Sequence, residues 1–127
     1  MQERELFEYA VIRWVPRVER EEFLNVGVIL FCKKRNFLHV LYEVKEDRLK
    51  ALFPECELEE VKCHLDAFAR IAAADTSAGS IAQLDAAGRF RWLTAQRSTV
   101  IQASKVHPGL CTDPMEMLER LFGQMVG

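Results

Sequence analysis

The stretch Asn25-Val26-Gly27-Val28-Ile29-Leu30-Phe31-Cys32 constrains the fold more than any other part of the chain. Extended, it puts Val26, Val28, Leu30 and Cys32 on one side and Ile29 and Phe31 on the other. A strand apolar on both sides belongs in the middle of a sheet, covered from above and from below. Gly27 within it predicts a bulge or the close approach of another backbone. At 127 residues there is room for one such core, so residues 1–127 read as a single domain.

The flanking patterns fill in the rest. Residues 7–15 are β-branched and aromatic, and Pro16 ends the run, which predicts a first strand. Residues 17–23 are charge-rich and predict a solvated loop. A polar turn, Lys33-Lys34-Arg35-Asn36, leads into a third strand over 37–44, with Leu38, Val40, Tyr42 and Val44 on one face. So short a connection makes the pair an antiparallel hairpin. The period then changes to helical. A short helix covers 47–53 before Pro54, and Leu58, Val61, Leu65, Phe68 and Ala72 mark an amphipathic helix over about 57–74. Residues 75–80 form a surface loop. Ser80 and Gln83 suggest a short helix ended by Gly88, while 90–93 fit helix or strand equally. Residues 99–102 predict a strand, and 106–110 a turn or an edge segment. The last helix is the clearest: Asp113 caps it, Pro114 takes its first position, and Leu118, Leu121, Phe122 and Met125 form its buried stripe. Strands clustered early and helices later give an α+β fold, an antiparallel sheet of about four strands packed against two to three helices.

Composition excludes several classes. Half the residues are apolar, which rules out disorder as the main state. Nineteen acids against seventeen lysines and arginines leave −2, too balanced for a surface that coats nucleic acid or an anionic membrane. No run approaches the ~20 apolar residues of a membrane span. The start, Met1-Gln2-Glu3-Arg4-Glu5, does not fit an export signal, so a cytoplasmic location is expected. Cys32, Cys56, Cys63 and Cys111 are then expected as reduced thiols. Cys56, Cys63 and His64 lack the spacing of a zinc site, and no metal or other cofactor is expected. Neither a dinucleotide nor a Walker-type glycine loop occurs.

One window departs from the average. Between Asp85 and Asp113 there is no carboxylate, whereas Arg89, Arg91, Arg97 and Lys105 give a local charge of +4 with His107 neutral. Ser98, Gln102 and Ser104 lie among them. Arginine and hydroxyl groups are the usual donors to phosphate and carboxylate. If buried, these arginines need an anionic ligand or an acid from elsewhere in the fold. Arg13, mid-strand among apolar neighbours, is read as snorkelling from an edge strand, or else as pointing into a pocket shared with Arg97. Asn25 is placed to add an amide to that pocket. The candidate anion site is therefore Arg13, Asn25, Arg97, Ser98, Gln102, Ser104 and His107. A Ser98–His107 nucleophile and base pair has no evident acid to orient it.

Three blocks, taken in order, carry a resemblance. They are Tyr9-Ala10-Val11-Ile12-Arg13-Trp14-Val15-Pro16, then Phe23-Leu24-Asn25-Val26-Gly27-Val28-Ile29-Leu30-Phe31, then Trp92-Leu93-Thr94-Ala95-Gln96-Arg97-Ser98-Thr99-Val100-Ile101-Gln102 leading to His107-Pro108-Gly109-Leu110. With Asp113-Pro114 and Leu118-Glu119-Arg120-Leu121-Phe122, they resemble the bacterial domain-of-unknown-function 3037 family, from about Tyr9 to Val126. That resemblance implies a small cytoplasmic bacterial domain with no established catalytic residues. Its members' genomic setting implies a protein partner, a HipA-like kinase.

Three functions are compatible with these readings. The first is a non-enzymatic binding or adaptor module, acting with a kinase-like partner or as a homo-oligomer. The second is an enzyme or sensor for a phosphorylated or carboxylated small ligand bound in the 86–112 segment. The third is nucleic-acid binding through the arginines of 89–97 and the basic hairpin tip, with Trp92 to stack, and the mild net acidity disfavours it.

Overall fold

The computed structural model describes residues 3–95 and 99–127. Three strands, β1 (Glu5–Trp14), β2 (Leu24–Cys32) and β3 (Phe37–Tyr42), form an antiparallel meander, and two short strands, β4 (Ile101–Ala103) and β5 (His107–Cys111), follow much later. The order across the sheet is β3-β2-β1-β4, and β5 pairs with the other end of β1 along the same side as β4. Four α-helices complete the α+β domain: α1 (Glu46–Leu52), α2 (Leu58–Ala72), α3 (Ala86–Thr94) and α4 (Pro114–Met125).

β2 lies in the middle and is covered on both sides, as its double apolar pattern requires. On one side Ile29 and Phe31 join Val61 and Leu65 of α2 and Phe90 and Leu93 of α3. On the other, Val28, Leu30 and Cys32 join Phe7, Cys111 and Leu118 and Leu121 of α4. Val28, Ile29 and Leu30 have no exposed surface. Each contributes roughly 1.5–3 kcal/mol relative to exposure. The helices thus form a layer on each face of one antiparallel sheet.

Gly27 is both of the things its position predicts. The β1–β2 register slips there: Ile12 pairs with Gly27, but Arg13 pairs with Asn25, leaving Val26 as an extra residue. A Cβ on Gly27 would stand 2.7 Å from the Leu41 carbonyl oxygen and 3.0 Å from the Tyr42 Cβ. β4 and β5 amount to one strand broken by a second bulge, since Ile12 pairs with Ala103 and Tyr9 with His107, three steps on β1 against four opposite.

In the 81–110 stretch one reading changes and one open alternative is decided. Gly88 does not end a helix but sits in the first turn of α3, where its N–H donates to the capping Asp85 carboxylate at 2.8 Å. A Cβ there would lie 2.9 Å from the same oxygen, so glycine lets the cap close. Of the two alternatives for 106–110, the edge segment is the one formed, as β5. Its Pro108 is tolerated because an edge leaves one side of the ladder unpaired. Gly109 is needed because the Phe7 ring lies over it, 2.5 Å from where a Cβ would be. At the last helix, Asp113 accepts from the N–H groups of Met115 and Glu116, as a capping residue before Pro114 should.

Gly27→Ala therefore forces Leu41 or Tyr42 to move. It should destabilise the domain by roughly 1–3 kcal/mol, the ordinary cost of overpacking, read as a lower urea midpoint with an unchanged slope.

Candidate functional site

The Val26 bulge decides which residues meet. Without it, Asn25 would share the α2 face with Gly27; the extra residue turns Asn25 over to the α4 face. It arrives beside Arg13 of β1, and Gln102 of β4 flanks Arg13 from the other side. Three of the seven candidate residues thus form a row across three adjacent strands. β1 is an interior strand, so Arg13 does not snorkel from an edge. Its guanidinium carbon lies over the Phe23 ring, 4.2 Å from the centroid. Sequence reasoning missed Phe23; the one available signal was an aromatic stranded in the charged 17–23 stretch.

The row lies beside the C-terminal end of α4. Asn25 Nδ2 donates to the Met125 carbonyl at 3.1 Å, and Arg48 donates to the Val126 carbonyl at 2.8 Å, so two last-turn carbonyls are satisfied. The rest of the row is not. Arg13 Nε and Asn25 Oδ1 are buried and have no hydrogen-bond partner. No carboxylate pairs with Arg13 among the described residues. Gln102 donates its amide to the Thr99 carbonyl at 2.8 Å, which keeps its side chain on this face. A cation with a buried, unused donor stands next to a buried, unused acceptor. Leaving such groups unpaired costs about 1–3 kcal/mol each.

The remaining candidates lie elsewhere. Ser104 is buried inside the β4–β5 bulge. Its hydroxyl oxygen accepts the Val11 N–H at 2.8 Å and its proton goes to the Lys105 carbonyl, so this oxygen replaces the ladder bond that the bulge removes. That occupation leaves Ser104 no donor for a ligand. His107 is exposed against Tyr9, ring centroids 5.4 Å apart. It shares the face of Arg13 but stands four residues along β1, about 13 Å by strand rise. Arg97 and Ser98 lie outside the described residues, and so do their pairing with Arg13 and the Ser98–His107 pair.

The basic window is not one patch. Arg91 forms a two-pronged pair with Glu8 at 3.0 and 3.1 Å, which raises its pKa above the ordinary arginine value. Glu8 is thus the acid from elsewhere in the fold. Arg89 donates to the Leu84 carbonyl. Arg35 of the hairpin tip is held by Glu5 at 2.7 Å and by the Thr112 carbonyl. Elsewhere, Ser77 and Arg70 bind the Asp75 carboxylate and lower its pKa to about 2. A depressed carboxylate stabilises the fold above its unfolded value, near 3.8, and that contribution is lost as the pH falls toward 2. The Asp75 side-chain NMR titration should therefore have its midpoint near pH 2.

All four cysteines are free thiols, Cys32 and Cys111 buried and Cys63 exposed. Burial pushes the Cys111 and Cys56 thiols up, so neither is an activated nucleophile. On the far face a cleft of about 260 Å³ runs between α2, α3 and β4, lined by Phe68, Trp92, Leu93 and Ile101. It is mainly apolar.

A family model described as Protein of unknown function (DUF3037) matches residues 9–126. The chain belongs to that family. The match takes in β1 from Tyr9 onward, every other strand and all four helices, so the Arg13 row is part of the DUF3037 domain itself. No curated protein and no solved structure matches the chain. Among the described residues of this DUF3037 domain, no helix is long and apolar enough to cross a membrane.

The two kinds of polar residue should separate on mutation. Ser104→Ala strands the Val11 N–H and should cost about 1–3 kcal/mol in urea unfolding. Gln102→Ala, at the half-buried rim, should stay within about 0.5 kcal/mol of wild type.

Proposed function

We propose that the domain is a non-enzymatic binding module that takes a carboxylate or phosphate group at Arg13, on the α4 face of the sheet. One observation carries this reading: Arg13 Nε is buried and unbonded beside an unbonded Asn25 Oδ1, with no acid among the described residues paired to the guanidinium. An oxyanion accepting from Arg13 supplies the missing counter-charge, and a protonated or amide-bearing neighbour on the ligand satisfies Asn25. The contact with the Phe23 ring restrains the guanidinium before a ligand arrives, so less side-chain freedom is lost on binding. Among the described residues of this row there is no nucleophile and no positioned base, which favours recognition over catalysis.

A cytoplasmic location belongs to the same proposal and is supported by the four unpaired thiols. So does a protein partner of the HipA-like kinase type, supported by the family resemblance alone. Nucleic acid is the weakest of the three readings, because Arg89, Arg91 and Arg35 already hold partners within the chain.

The test follows the Arg13 Nε–H resonance in a ¹⁵N-labelled sample titrated with inorganic phosphate and, separately, acetate. Saturable shifts at Arg13 are expected. Arg13→Gln should weaken binding about tenfold or more, the scale of one charge-assisted hydrogen bond. Asn25→Asp should build the counter-ion in and abolish anion binding, at a cost of about 1–3 kcal/mol in stability because the Met125 carbonyl loses its donor. Binding that survives Arg13→Gln unchanged overturns the assignment.

A further inference from the structure

The cleft on the α2 face continues into a second cavity. Its volume of about 260 Å³ meets another of about 120 Å³ across shared walls at His64, Val100 and Ile101. The two make one trough. One wall is α2, through Glu57, Glu60, His64, Phe68 and Ile71, which return at helical spacing. The other is the β4 edge, from Val100 to Ala103. From Glu57 to Ile71 the helix wall runs about 21 Å at 1.5 Å per residue, the length of about six residues of extended chain.

The strand wall has unused backbone groups. Beyond β1, β4 has no neighbouring strand among the described residues. Val15 N–H donates to the Val100 carbonyl and Ser104 N–H to the Val11 carbonyl, so Val100 and Gln102 turn their backbone groups toward β1. Ile101 and Ala103 turn theirs outward. The Ile101 carbonyl accepts from the Thr99 hydroxyl at 2.6 Å. The Ile101 N–H and both backbone groups of Ala103 have no partner among the described residues. Such groups on an open strand edge are what an added strand bonds to, and side chains alternate into the groove beside it.

The chemistry of the walls is uneven along the trough. Phe68, Leu93 and Ile101 make its centre apolar, and two carboxylates stand at one end. Glu57 sits at the N-cap of α2 without a side-chain capping bond and pairs with no cation among the described residues. Glu60 reaches only His64, at 3.8 Å. No lysine or arginine lines the trough among the described residues. Lys50 is held by Glu46 at 3.2 Å, and Arg17 lies over the Phe53 ring, 5.3 Å from its centroid; neither pairs with Glu57 or Glu60.

We propose that this trough takes an extended apolar segment of a protein partner, about six residues long, that adds as a strand to β4 and sets a lysine or arginine beside Glu57 and Glu60. A compact ligand would fill part of the space and leave the Ile101 and Ala103 backbone unpaired. The site is independent of Arg13, which lies on the opposite face of the sheet.

The probes are blocked hexapeptides that alternate valine and threonine and carry one lysine, either first or last, with glutamate in place of lysine as the control. One lysine peptide should bind the full chain saturably and slow amide exchange at Ile101 and Ala103. Its glutamate counterpart should bind about tenfold or more weakly. Glu57→Lys with Glu60→Lys should reverse that preference, since like charges then face each other. Ala67→Trp, at an exposed position on the helix wall, should fill the trough and abolish binding with the circular dichroism unchanged. Failure of both lysine peptides to bind overturns the proposal. So does binding that survives Ala67→Trp, that ignores the charge reversal, or that leaves the two amides exchanging as before. Octylammonium binding more tightly than any peptide gives the trough to a small amphiphile and overturns it as well.

Discussion

The structure depends on β2 having no polar face. Val28 and Leu30 on one side and Ile29 and Phe31 on the other all need cover, and one helical layer cannot supply it. α2 and α3 take one side and α4 the other, so the chain must cross from one face to the other after α3. It does so along β4 and β5, which is why the last two strands lie at the far side of β1. An antiparallel meander with one solvated face would have left Val28, Leu30 and Cys32 in water.

The Arg13 row is a by-product of how β1 is held. A bulge lies on each side of it, one at Val26 in β2 and one at Ser104 between β4 and β5. The first turns Asn25 toward Arg13. The second withdraws Ser104 into the backbone ladder. Two polar residues that look alike as ligand donors thus end with opposite roles, one with an unused acceptor and the other with its hydroxyl consumed. Arg13, the charged residue in the row, has neighbours on both sides and yet no counter-ion among the described residues.

Much of the architecture was legible because it follows from local pattern. β2 could be read from apolar residues on both faces, α2 from its spacing, and α4 from Asp113 and Pro114. Residues 81–110 were harder for a physical reason. Gly88, Pro108 and Gly109 look like breakers, but each sits where its special geometry is needed: under a capping carboxylate, on a sheet edge, and beneath the Phe7 ring. The basic window was legible as composition but not as a site. Arg91 and Gln102 fall on opposite faces of the sheet, and the acid that neutralises Arg91 is Glu8, 83 residues away in the chain. Arg13 beside Asn25 could not be read without the bulge, which changes the side on which Asn25 emerges.

The Ser104–Val11 bond joins residues 93 apart. It therefore has a consequence for folding as well as for shape. β1 can pair with β2 as soon as the hairpin has been synthesised, but its other edge stays bare until β4 and β5 exist. Closing so long a loop is slow compared with forming a local hairpin. The first strand made is among the last to be completed. Until then, the apolar side of β1 that will be covered last is exposed on a nascent chain whose other unprotected edge is β3.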